Sequence, residues 1–159
     1  MDGALQVLTV IAAVGCGLVG GAFFTFSTFV MHALRSLPPA RGAQAMQAVN
    51  VSAVRPPLMI LLFGTALVCV VGIVLAATSW SDPGSPLVVA GAATYLLGNI
   101  VVTMAGNVPL NNALAAGEPD DAAILEVWQR YQREWVAWNH VRTVTAAAAA
   151  VLLVVGLVQ

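Results

Sequence analysis

Four stretches of this chain stay apolar for about twenty residues or more, at roughly 4–31, 57–78, 87–108 and 141–158, with polar segments between them. About twenty apolar residues in a helix match the roughly 30 Å of hydrocarbon in a bilayer. None of the four alternates apolar and polar positions as a barrel strand does, and lipid offers no partner to an open sheet edge. The pattern therefore predicts helices. The second stretch opens on Pro56-Pro57, where missing N–H groups suit a first helical turn. "SWSDPGSP" (79–86) is a turn rich in Asp, Pro and Gly, and the longer polar segments lie at 33–56 and 112–137. Such connections predict an all-α fold, an antiparallel four-helix bundle forming one membrane domain over 1–159.

The polar segments are patterned as well. "RGAQAMQAVNVSAV" (41–54) predicts a short amphipathic helix. In "EPDDAAILEVWQRYQREW" (118–135), Pro119, Asp120 and Asp121 mark a helix N-terminus. Glu126, Arg130 and Glu134 make i,i+4 pairs that support the same helix. No Gly or Pro interrupts the chain from Asp121 to Val155. One long helix is expected, spanning with its second half and projecting about 25 Å beyond the hydrocarbon with its first.

Helical spacing gathers the scattered polar residues into faces. Gly21, Thr25, Thr28, His32 and Arg35 form a stripe on the first span; Asn99, Thr103, Asn107 and Asn111 recur every four residues on the third. On the fourth helix Trp128, Tyr131, Trp135, Trp138, Asn139 and Arg142 share one side of the wheel, whereas His140 lies about 100° from Asn139. All three stripes descend to the same end of the bundle. Thr side chains in membrane helices commonly bond to their own backbone, and Trp commonly belts the interface. Asn in hydrocarbon must find partners, and a charged residue there is a functional hypothesis by default.

Composition agrees with the pattern and adds an orientation. The chain is 60% hydrophobic and 8% charged, with mean hydropathy +0.90. Its net charge of −1 offers no basic field for nucleic acid. All six basic residues are Arg, as in GC-rich bacterial genomes, and all fall at one end: Arg35, Arg41, Arg55, Arg130, Arg133 and Arg142. The positive-inside rule then puts both longer loops in the cytoplasm and both termini outside, in a bacterial cytoplasmic membrane. "MDGALQVLTV" lacks a positive n-region and reads as part of a retained span. Cys16 and Cys69 sit in apolar runs and read as small buried hydrophobes.

"GNVPLNNAL" (106–114), "WVAWNHVRT" (135–143) and "GAFFTFSTFVMHAL" (21–34) resemble the anthrone oxygenase-like membrane proteins, formerly a family of unknown function, over nearly the whole chain. Fungal polyketide-pathway members of that family oxidise an anthrone to an anthraquinone with O2. The resemblance implies a hydrophobic phenolic or anthrone-type substrate, and a site at His32, Asn107, Asn111, Trp138, Asn139, His140 and Arg142. Proton abstraction calls for a base of near-neutral pKa, hence His32 or His140. Arg142, Asn107, Asn111 and Asn139 would supply donors to a developing oxyanion, and Trp135 and Trp138 a flat wall, with Thr28 beside them. No cofactor is implied. Two histidines at one level leave open a metal or haem site, although a catalytic metal usually takes three protein ligands. A small transporter or scaffold bundle is the non-enzymatic alternative, and a homo-oligomer would be compatible with either. The expected partners are a hydrophobic small molecule and membrane lipid.

Overall fold

The computed structural model describes residues 1–118 and 123–159; the predicted helix start at Pro119, Asp120 and Asp121 lies outside them. Four helices are long and apolar enough to cross a membrane: α1 (Gly3–Arg35), α3 (Pro56–Thr78), α4 (Ser85–Ala115) and α5 (Ile124–Leu157). A fifth, α2 (Pro39–Ala53), joins α1 to α3 where the amphipathic pattern predicted it. Among the described residues there is no strand. The Asp2 carboxylate caps α1 by accepting from the Leu5 N–H at 2.7 Å, and Pro56-Pro57 open α3.

The spanning helices form a ring in which α1 packs on α5, α5 on α4, α4 on α3, and α3 on α1. Its core is small and apolar: Leu5, Cys16, Val19, Cys69, Val88, Tyr95 and Leu153 are buried. Leu18, Leu67, Leu97, Val144 and Val151 are exposed, an apolar exterior of the kind lipid would cover. At one end sit both termini and the α3–α4 turn, tied by an ion pair of 3.2 Å between the Met1 amino group and Asp82. At the opposite, loop end a second core gathers Met31, Met46, Leu114, Trp128, Tyr131 and Trp135. The outer half of α5 is therefore no free projection. The amphipathic α2 lies against it and against the ends of α1 and α4, and Ile124, Trp128 and Tyr131 are buried there.

Close approach of α4 to α5 is arranged by glycines. A Cβ on Gly91 would stand 2.9 Å from Leu153 Cγ, and one on Gly106 2.8 Å from the Trp138 ring. One on Gly98 would overlap Thr145 Oγ1 outright, and Gly84 faces the Gly156 backbone. The steps along α4 are seven, seven and then eight. The eight-residue step crosses two π-helical segments, Leu96–Val101 and Thr103–Asn107, whose wider i→i+5 turn absorbs the additional residue.

Gly98→Ala is expected to lower stability in detergent by about 1–3 kcal/mol through overpacking against Thr145. Gly21→Ala, with nothing within 4 Å, should be neutral or stabilising. Equal thermal midpoints for the two variants would contradict this account of the α4–α5 seam.

Candidate functional site

Arg142 lies on the inner face of α5 and is only 5% exposed. Its Nη1 donates to Thr103 Oγ1 on α4 at 3.1 Å, and its Nη2 donates to Asn139 Oδ1 one turn away. Its Cζ stands 3.9 Å over the Phe23 ring and 5.4 Å from that of Trp135. The ion pairs among the described residues are Met1–Asp82 and Arg130–Glu134, so Arg142 has no carboxylate partner there. Removing a cation from water costs several kcal/mol. Two hydrogen bonds and a desolvated cation–π contact of about 2 kcal/mol offset part of that.

Asn139 is fully buried and fixes the guanidinium from below. Its Nδ2 donates to the Phe23 carbonyl and to Ser27 Oγ, both at 2.6 Å, while its Oδ1 receives Arg142. Ser27 stands in a π-helical segment of α1, Phe26–Val30, in which Met31 N–H reaches back to the Phe26 carbonyl. All three π segments face α5 near this level. Such segments are frequent at functional sites.

The polar ladder on α4 is read rung by rung by α5. Asn99 Nδ2 donates to Thr145 Oγ1 at 3.3 Å, and Thr103 accepts from Arg142. Asn107 Nδ2 donates to the Trp135 carbonyl at 3.2 Å, and Asn111 Oδ1 accepts from the Tyr131 hydroxyl at 2.8 Å. Asn50 of α2 donates to that same hydroxyl at 3.4 Å. Gln47 of α2 donates to the carbonyls of Leu114 and Gly117, capping the end of α4.

Above Arg142 lies a partly open cavity of about 180 Å³. Phe23 and Phe26 line it from α1, Met46, Val49 and Asn50 from α2, and Met59, Leu62 and Phe63 from α3. Thr103, Val108 and Asn111 face it from α4, Trp135 and Arg142 from α5. An apolar cavity of about 150 Å³ accepts benzene, so this one takes an aromatic ring with substituents. A shallower recess shares Phe26, Val49, Ala53 and Leu58 with it and leads outward between α1, α2 and α3.

The predicted residues divide sharply. Arg142, Asn111 and Trp135 line the cavity; Asn139 and Asn107 sit just behind it, holding Arg142 and the Trp135 backbone. Trp138 is 44% exposed, its ring laid on Gly106 outside the cavity. Thr28 donates to its own Phe24 carbonyl at 2.8 Å and is not on the wall. Both histidines are exposed and off the cavity: His32 on the outer side of α1, His140 on the outer side of α5. On the α1 stripe Gly21 and His32 are exposed, Thr28 is satisfied by its own helix, and Arg35 reaches α5, its Nη2 donating to the Gln132 carbonyl at 2.6 Å. No group of three His, Cys, Asp or Glu side chains that would hold a metal forms among the described residues. Sequence reasoning missed Phe23, Phe26, Ser27 and the α3 wall, which are ordinary apolar or small residues in apolar spans. It also missed Asn50, a polar residue in an amphipathic helix.

The anthrone oxygenase family model matches residues 57–152, which carry Thr103, Asn107, Asn111, Trp135, Asn139 and Arg142. The chain belongs to the anthrone oxygenase family. No curated protein and no solved structure matches it. The α1 residues on the cavity wall, Phe23 and Phe26, fall outside the matched segment.

Asn139→Ala should cost about 2–4 kcal/mol, since it removes three bonds and leaves the buried Arg142 short of an acceptor. Thr28→Ala should cost about 0.5 kcal/mol or less, its hydroxyl serving only its own helix. Unfolding in detergent compares the two; similar losses would show that Asn139 is not the support of Arg142.

Proposed function

We propose that this anthrone oxygenase family member oxidises a hydrophobic phenolic or anthrone-type molecule with O2 in the loop-end cavity. That end faces the cytoplasm in this reading, which the arginines at 35, 41, 55, 130 and 133 support. The observation that carries the proposal is Arg142, a buried cation on the wall of an aromatic-lined cavity with no carboxylate partner among the described residues. Apolar pockets with a few convergent polar groups are the usual form of small-molecule sites. Family membership supports the reaction class.

An anthrone carries a CH2 group conjugated with a carbonyl. Loss of one proton gives an enolate whose charge is shared between oxygen and carbon, and Arg142 lowers its energy in a water-poor site. That carbon gives an electron pair to O2, a C–O bond forms, and protonation yields a hydroperoxide. Loss of the remaining C–H proton breaks the O–O bond and leaves a second carbonyl. The sum is CH2 plus O2 going to C=O plus water, with every electron supplied by the substrate. Among the described residues the cavity wall holds no histidine or carboxylate, and in this reading the first proton passes to solvent.

The test is anthrone consumption and O2 uptake by the full chain in lipid nanodiscs. Arg142→Gln is expected to reduce turnover about 10²-fold, the loss typical of a removed oxyanion donor. His32→Ala and His140→Ala should stay within about twofold, far from the ~10²-fold or greater loss of a general base. Full turnover in Arg142→Gln, or collapse in either histidine variant, would overturn the proposal.

A further inference from the structure

Four buried side-chain atoms lack a hydrogen-bond partner among the described residues: Asn99 Oδ1, Asn107 Oδ1, Trp135 Nε1 and Arg142 Nε. The two donors stand apart from the two acceptors in one respect. Both belong to side chains that line the cavity, both side chains are 5% exposed, and they lie seven residues apart on one face of α5. Indole and guanidinium groups donate and cannot accept. Of the acceptors on the same wall, Thr103 Oγ1 is engaged by Arg142 and Asn111 Oδ1 by Tyr131.

We infer that the cavity docks its substrate as an oxyanion, with the oxygen held by the Arg142 guanidinium and the Trp135 indole N–H, so that the site selects phenolates over neutral phenols. This rests on the oxidative reading of the cavity and adds to it the ionisation state that is bound and Trp135 as a second donor. A phenolate fits each feature. Its ring meets Phe23, Phe26 and the indole, which already stand edge-to-face at 6.4 Å in the Phe26–Trp135 pair. Its oxygen brings the charge that Arg142 lacks and the acceptor that both N–H groups lack. A neutral phenol brings a further donor to a wall that has donors to spare. Tyr131 is packed on the site, stacked on Trp135 at 5.4 Å, and among the described residues the lining of all five helices includes no Asp, Glu, His or Cys.

The test uses 4-nitrophenol, whose neutral and ionised forms absorb at different wavelengths, added to the purified full chain in nanodiscs without O2 chemistry. Its ether, 4-nitroanisole, has the same ring and cannot ionise. Bound nitrophenol is expected to ionise at least about one pH unit below the free molecule, a tenfold preference for phenolate. Arg142→Gln should erase that preference. Trp135→Phe, which keeps a ring and removes the N–H, should reduce it about fivefold or more while nitroanisole binding stays within about twofold. The nitroanisole control keeps the result readable if Arg142→Gln folds poorly. Octanoate, an anion without a ring, should bind at least about tenfold more weakly than the phenolate.

Absence of a phenolate preference in the unaltered chain would overturn the inference, as would a preference unchanged in Trp135→Phe. Octanoate binding as tightly as the phenolate would also overturn it, marking a plain fatty-acid site. Because the readout involves no oxidation, a failed anthrone assay beside a clear phenolate preference would count against the oxygenase reading alone.

Discussion

A guanidinium buried in a membrane bundle, with no carboxylate beside it among the described residues, constrains everything around it. Arg142 is held by one neutral oxygen from α4, one from its own helix, and two aromatic rings. Each of these has to be in place before α5 can pack, because an unsupported cation in a low-dielectric interior is far more costly than any single apolar contact is favourable. Asn139 therefore reaches across to α1, Thr103 comes from α4, and Phe23 lies under the charge. Three helices are registered against each other by one side chain.

The π segments follow from the same requirement. Residues four apart in an α-helix drift about 40° per step, so a ladder from Asn99 to Asn111 would wind about 120° around α4. A strictly α-helical α4 would face α5 with one or two rungs and turn the rest toward lipid or α3. Wider i→i+5 turns at Leu96–Val101 and Thr103–Asn107 take up that drift. All four rungs then meet α5, at Thr145, Arg142, Trp135 and Tyr131. The glycine row keeps its register across the same segments by lengthening one step from seven to eight.

How much of this was legible in the sequence depends on the kind of signal. Span number, helical class, the amphipathic α2 and the long α5 were readable because each rests on hydrophobic period and on punctuation by Pro and Gly. The Asn ladder and Arg142 were readable because polar groups in an apolar span are expensive and must be there for a reason. Orientation of side chains was the weak point. His32 and His140 stood out by rarity, yet rarity says nothing about which way a helix faces, and both look outward. Trp138 shares the wheel with Arg142, but Gly106 lets α4 come so close that the indole is pressed to the rim. Phe23, Phe26, Met59, Leu62 and Phe63 carry no signal at all, since an apolar residue facing a cavity and one facing lipid look alike in sequence.

The identity of residue 139 makes sense only with the cavity in view. Asp at that position would be nearly isosteric with Asn and would give Arg142 a conventional salt bridge. It would also place a carboxylate against the Phe23 carbonyl, an acceptor to which Asn139 Nδ2 now donates. More consequentially, a carboxylate would cancel the charge that the cavity presents. An amide keeps the guanidinium oriented through its oxygen and leaves its positive charge whole. Stability alone would favour filling the space above Arg142 with apolar atoms or neutralising it from below. The chain does neither, and in the proposed reading the residual cost of that cation is the free energy that a bound anion recovers.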